Sequence, residues 1–205
     1  MRYGMVIDLN RCIGCDACSI ACKIENATPP GVFWNRVFQL EEGTYQDVKR
    51  TYIPRLCMHC ENPACITVCP TEATYKDPDG FVRVDEDKCI GCQACILACP
   101  YQARYFNDGQ YYFSNGTSPW GEAYEGHREG TVAKCTFCPH LVEKGLDPAC
   151  VQACPTAARI FGDAEDPKSE VSQLIKNRVN FQLHAELDQR PSVYYLPAKG
   201  YAFKG

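Results

Sequence analysis

The sequence predicts an α+β chain built from two small units of one kind, one nested inside the other, with hairpin and loop insertions and a short C-terminal helix and tail. Three observations predict it. The sixteen cysteines among 205 residues fall into four groups of four. The second and third groups are joined by a segment that reads as a hairpin. The flanks of the first and fourth groups match those of the middle two in the opposite chain order. Cysteine at about 8% of the chain also sits at the edge of the range that signals a cross-linked or metal-rich scaffold.

Cys12, Cys15, Cys18 and Cys22 follow C-x2-C-x2-C-x3-C, and Cys89, Cys92, Cys95 and Cys99 repeat that spacing, with Pro100 next. Cys57, Cys60, Cys65 and Cys69 lengthen the middle segment to four residues and end in Pro70; Cys135, Cys138, Cys150 and Cys154 stretch it to eleven and end in Pro155. Disulfides require an oxidising compartment and pairs at about 4.4 to 6.8 Å between α-carbons, whereas a tight C-x2-C-x2-C run turns its sulfurs toward one point. Tetrahedral zinc takes two C-x2-C knuckles from two directions, and the fourth group viewed alone suits it. Three cysteines within seven residues instead wrap one face of an iron–sulfide cube, so the spacing favours four 4Fe-4S clusters.

In the bacterial ferredoxin run, three cysteines of one motif hold a cluster and the fourth, just before proline, reaches the neighbouring cluster. The motifs therefore work in pairs. Between Cys69 and Cys89, an extended run, an Asp79-Gly80 turn and an alternating strand at Phe81 to Val84 read as a hairpin, so residues 57–100 form an inner ferredoxin-like unit. GMVIDLNRC before Cys12 parallels GFVRVDEDKC before Cys89, and PTAARIFGD after Cys154 parallels PTEATYKD and PYQARYFND, so residues 1–22 with 135–163 form an outer unit. The expected ligand sets are Cys12, Cys15, Cys18 with Cys154; Cys135, Cys138, Cys150 with Cys22; Cys57, Cys60, Cys65 with Cys99; and Cys89, Cys92, Cys95 with Cys69. Consecutive pairing, first motif with second and third with fourth, is the alternative.

Residues 23–56 and 101–134 are the connecting insertions. In the first, VFWNRVFQL and TYIPRL around Gly43 predict a strand pair covering one cluster. The second, rich in Tyr, Gly and Asn, reads as an irregular surface segment that is either a contact surface or a solvated bridge. Residues 164–205 are expected to hold a helix capped by Asp166-Pro167, with Val171, Leu174 and Ile175 packed onto the cluster core. An extended aromatic tail follows that lies over a neighbouring subunit or is disordered.

The formal charge of -4 and the lack of a basic block exclude a phosphate backbone, so no nucleic acid is expected as a partner. No run approaches the roughly 18 apolar residues of a membrane-spanning helix. Each oxidised cube with its four thiolates carries about -2, taking the chain to roughly -12. Lys23, directly after Cys22, and Lys134, directly before Cys135, are candidates to offset that charge. His59, inside CMHC, is read as a neighbour of a cluster, every cluster having four cysteines already. His127, His140 and His184 form no acid–base or metal group, and no dinucleotide fingerprint, phosphate loop or nucleophile elbow is present. No catalytic residue is expected.

With these motifs in place, GMVIDLNRCIGCDACSIACKIEN, CMHCENPACITVCPT, CIGCQACILACPYQARYF and KCTFCPHLVEKGLDPACVQACPTAARIFGD resemble the four-cluster iron–sulfur subunits of dimethyl sulfoxide reductase-family molybdopterin oxidoreductases. The size and the EVSQLIK helix are most like the small subunits of respiratory arsenate, polysulfide and tetrathionate reductases. The resemblance implies single-electron relay between a large molybdopterin catalytic subunit and a membrane-anchored quinone subunit or cytochrome. Some relatives put tryptophan in place of one cysteine and hold a three-iron cluster; this sequence keeps all its cysteines. The eleven residues before Cys12 carry no secretory leader. In the resemblance the molybdenum subunit carries the leader and exports both, which favours the periplasmic face of the membrane over the cytoplasm. A diffusible polyferredoxin, a non-redox molybdenum transferase subunit and a structural zinc protein are the rival functions.

Overall fold

The computed structural model describes residues 1–110 and 127–199. In chain order its elements are β1 (Tyr3–Asp8), α1 (Ala17–Glu25), β2 (Arg36–Thr44), β3 (Asp47–Arg55), α2 (Ala64–Thr67), β4 (Thr74–Lys76), β5 (Val82–Val84), α3 (Ala94–Ala98), β6 (Tyr105–Phe106), β7 (Val132–Ala133), α4 (Pro139–Val142), α5 (Ala149–Gln152), β8 (Arg159–Asp163), α6 (Glu170–Asn177) and β9 (Val193–Leu196). Short strands and one-turn helices dominate because four cysteine groups interrupt the chain before longer periodic runs can form.

β4 and β5 pair antiparallel, Thr74 opposite Val84. Asp77 closes their loop by accepting the amides of Asp79 and Phe81 at 3.1 and 2.8 Å. β1 pairs antiparallel with β8, Tyr3 opposite Asp163 and Ile7 opposite Arg159. The strand that leaves the fourth motif thus lies beside the strand that enters the first, as the strand leaving the second lies beside the strand entering the third. β6 and β7 repeat the pairing between the third and fourth motifs.

β1 is apolar on both faces because both are covered, and its alternation sorts the layers. Met5 and Ile7 pack with Val193, Tyr195 and the buried cysteines, whereas Val6 joins Val171 and Leu196 on the opposite face. Three expectations about the periphery are corrected here. α6 lies on the sheet face turned away from the cysteines, with Val171 fully buried against β1 and β8. It starts at Glu170 because the Asp166 carboxylate takes the Lys168 amide at 2.9 Å, making a turn where a cap was expected. The described part of the closing aromatic run packs on its own chain and not on a neighbour: β9 adds to β1 in parallel, with Tyr195 fully buried and its hydroxyl donating to the Pro54 carbonyl at 2.7 Å, while residues 200–205 lie outside the described residues.

β2 and β3 form the hairpin of the first insertion, but its tip is Tyr45-Gln46, closed by Thr44 opposite Asp47, and Gly43 sits within the strand opposite Val48. Gln46 takes the positive φ that the tight loop requires, 85°. The base of the hairpin packs on the molecule and the distal half, from Gln39 to Arg50, is exposed. The surface reading of the second insertion falls largely on residues 111–126, outside the described residues.

Candidate metal centres

Each group opens on the same backbone device. The residue before the second cysteine takes a left-handed conformation, at φ 70° in Gly14, 43° in His59, 66° in Gly91 and 63° in Phe137. This reversal turns two sulfurs to one side. Glycine is demanded at two of the four: a Cβ would lie 2.3 Å from the Tyr52 ring at Gly14 and 2.1 Å from the Gly130 carbonyl oxygen at Gly91. The third cysteine of each group then rides on a short helix, Cys18 on α1, Cys65 on α2, Cys95 on α3 and Cys150 on α5. Pro70, Pro100 and Pro155 follow the fourth cysteine of three groups, where the missing amide and the ring forbid further helix.

Cys12, Cys15, Cys18 and Cys154 line one cavity, of about 320 Å³. Cys57, Cys60, Cys65 and Cys99 line a second, of about 340 Å³, and Cys69, Cys89, Cys92 and Cys95 a third, of about 310 Å³. Cys22, Cys135, Cys138 and Cys150 are all buried, and the Asn26 amide reaches the sulfurs of both Cys22 and Cys138 at 3.8 Å. The groups also have an order in space. Arg159 touches Cys18 and Cys150, the charge of Cys57 bears on Cys135, and the charge of Arg104 bears on Cys65 and Cys95. Only Cys15 and Cys92, one in each of the two groups at the ends of this order, are exposed.

Burial raises most of these thiols and the neighbouring sulfurs add to it. Cys135 and Cys22 are pushed far up by desolvation and then by the charges of their group, and Cys150 to about 11 despite Arg159. Four thiolates cannot share so dry a space alone, and a polycationic iron–sulfide core is what lets them ionise together. Cys69 and Cys154 go the other way: desolvation raises them, but amide and hydroxyl donors from Thr74 and Thr71, and from Ala158 and Thr156, hold both below the ordinary thiol value. Such donors to sulfur are among the protein's means of setting a cluster potential.

An all-thiol donor set ringing open space fits a 4Fe-4S cube. Among the described residues no three His, Cys, Asp or Glu side chains close on a point as a single zinc ion needs. The buried Tyr101 hydroxyl faces the Cys60 and Cys99 sulfurs at the cavity wall, a polar group turned toward the thiol set.

The basic residues divide differently from the sequence reading. Lys23 donates to the carbonyls of Thr28, Pro29 and Val32 at 3.2, 2.7 and 2.8 Å, so it organises the loop after α1. Lys134 is buried, donates to the Cys135 carbonyl at 2.7 Å, and its charge lowers Cys65 and His59. Sequence reasoning missed the two buried guanidinium groups that donate to sulfur, Arg104 and Arg159. Their signal was present: in PYQARYFND and PTAARIFGD an arginine stands five residues after the pre-proline cysteine.

His59 sits between the halves of the molecule. The Val82 amide donates to Nδ1 at 3.1 Å and Nε2 donates to the Cys135 carbonyl at 3.1 Å, so the buried ring is neutral. It stacks on Phe137 with centroids 3.9 Å apart, and Ser192 of the C-terminal segment holds the His59 carbonyl at 2.9 Å. His127 and His140 each pair with a carboxylate, Glu86 and Glu25, and tie loops together.

Models of the 4Fe-4S dicluster domain match residues 48–118 and 110–164 in one case and 11–73 in another. The arsenate respiratory reductase iron–sulfur subunit of Shewanella sp. is 44% identical over 98% of this chain and 98% of its own length. A tetrathionate reductase subunit of Salmonella typhimurium is 42% identical over 95% of this chain and 72% of its own. A Halobacterium salinarum protein, provisionally assigned as a dimethyl sulfoxide reductase iron–sulfur subunit, is 47% identical over 95% of this chain and 79% of its own. With sixteen cysteines, the dicluster matches support four 4Fe-4S clusters. The chain belongs to the iron–sulfur subunits of dimethyl sulfoxide reductase-family enzymes, electron-transfer proteins that perform no catalysis of their own.

Proposed function

We propose that the chain is a linear four-cluster conductor in which one ferredoxin-like unit, residues 57–100, is nested inside another formed by residues 1–22 and 135–163. The observation that carries this is the order of the four thiol groups. The Cys12, Cys15, Cys18 and Cys154 set comes first, then Cys22, Cys135, Cys138 and Cys150, then Cys57, Cys60, Cys65 and Cys99, and last Cys69, Cys89, Cys92 and Cys95. Exposed thiols stand only at the two ends. The β1–β8 and β4–β5 pairings support the nesting, each joining the strand after one motif to the strand before its mate.

In this reading the clusters supply the redox chemistry, and the chain's residues hold them, keep water from the middle two and aim donors at sulfur. The electron enters or leaves at the end groups, where Ile13 and Ile90 are exposed beside Cys15 and Cys92. The partners are a large molybdopterin subunit reducing an oxyanion or polysulfide and a quinone-linked membrane subunit or cytochrome, at the periplasmic face. The named functions of the relatives and the full-length match to a respiratory subunit support these partners.

The anaerobically purified complex should hold about sixteen irons and as many sulfides per copy of this chain. Cys154→Ala should disturb the cluster on Cys12, Cys15 and Cys18; a change confined to the cluster on Cys135 would refute the crossed pairing. Co-elution with molybdenum, and recovery in the periplasmic fraction, test the partners and the compartment.

A further inference from the structure

Arg104 and Arg159 are buried, 4% and 3% exposed, in a chain whose other arginines reach solvent among the described residues. A guanidinium is always charged and costly to bury, so it persists inside only where negative groups surround it. Arg159 donates to the Cys18 sulfur at 3.4 Å and the Cys150 sulfur at 3.7 Å, and Asn35 orients it by accepting at 2.6 Å. Arg104 donates to the Cys65 sulfur at 3.0 Å and is oriented by the Thr74 hydroxyl at 3.0 Å. Its charge also draws down the Cys95 thiol against the burial that raises it.

The two are structural equivalents. Each stands five residues after a pre-proline cysteine and reaches the third cysteine of two different groups. After Cys69 the same place holds Thr74, which accepts from Arg104, and after Cys22 it holds Ala27. One guanidinium therefore serves two thiol groups, twice.

We propose that Arg104 and Arg159 are internal counter-ions, each shared by two adjacent clusters and setting both potentials of its pair together. The proposal rests on the ligand reading above. Reduction of either cluster adds one electron, from the adjoining centre or from dithionite in a titration, and no proton, because the guanidinium does not titrate. A fixed positive charge favours the reduced cube of each neighbour, and its loss should make both reductions harder. Lys134, by contrast, directs its ammonium to a backbone carbonyl.

EPR-monitored redox titration of the complex tests this. Arg159→Met should make two of the four reductions about tenfold less favourable or more, a shift of about 59 mV to the negative per tenfold for one electron, with the other two unmoved. Arg104→Met should move the complementary two. Arg159→Lys should restore most of the shift. Unchanged potentials in an Arg→Met variant with full iron content overturn the proposal, and a shift in one cluster alone overturns the sharing. If Arg159→Met loses iron, the lysine variants decide: potentials near the native values support a charge effect, and potentials as negative as those of Arg104→Met refute it. Failure of the ligand reading would show separately, as a native iron count well below sixteen or as the wrong response to Cys154→Ala.

Discussion

The four cysteine knuckles share one backbone turn but finish it in two ways. In the two groups placed at the ends of the proposed order, Gly14 and Gly91 supply the left-handed residue, and the vacated space admits the Tyr52 ring and the Gly130 carbonyl. At the centre His59 and Phe137 adopt the same conformation with large side chains, whose rings stack 3.9 Å apart between the two innermost thiol groups. A non-glycine residue there costs about 1 to 3 kcal/mol, which the stack and the two hydrogen bonds of His59 offset. The difference teaches that one ligand spacing serves two tasks. Where the second cysteine is exposed, the turn is thin; where two inner thiol groups meet, the turn carries the packing.

The sharpest way to break this comparison is at the ligands. Cys135→Ala, in the buried central group, should cost about four irons and cooperative folding together, whereas Cys92→Ala, at an exposed end, should disturb its own cluster and leave the other EPR signals intact. Equal damage from both would erase the distinction between end and centre. Next comes the stack. Phe137→Ala should destabilise by about 3 to 5 kcal/mol in anaerobic denaturant unfolding, since the ring is fully buried against His59, Phe81 and Phe161.

At an end knuckle Gly91→Ala should cost about 1 to 3 kcal/mol, through the positive φ and the collision with the Gly130 carbonyl, and should weaken retention of the Cys89 cluster. The smallest effect concerns the clamp between the halves. His127 donates from Nδ1 to Glu86 at 2.6 Å and from Nε2 to the Asn26 carbonyl at 3.0 Å. Burial lowers the imidazole, but the hydrogen bond and charge of Glu86 raise it above 6.5 overall, and the carboxylate is held below 4.5 against its own desolvation. The stabilisation from His127 is therefore full below pH 6.5 and lost as pH rises through its elevated folded value; that from Glu86 is lost as pH falls through its depressed one. His127→Gln should flatten the alkaline fall in unfolding stability measured from pH 6 to pH 8.

Much of the site was legible because its chemistry is local. C-x2-C-x2-C-x3-C needs no distant residue to declare an iron–sulfur ligand run, and the β4–β5 hairpin was marked by Asp79-Gly80 between alternating residues. The Gly43 turn and the Asp166 cap were misplaced by two or three residues because Gln46 and the Asp166 side chain made local bonds that composition does not rank. β9 was misjudged for a different reason: Tyr195 looks like surface aromatic until β1, Phe181 and Pro54 surround it.

By itself the sequence determined the class of cofactor and offered the thiols to hold it, because ligand spacing along a chain is a local property. Tertiary structure alone decided which buried cation answers which sulfur. Lys23 and Lys134 lie beside cysteines in sequence yet bond to carbonyls, while Arg104 and Arg159, each five residues from a cysteine, reach sulfurs of groups far apart in the chain. Electrostatic pairing depends on distance through space and on burial, and neither is written in the order of residues.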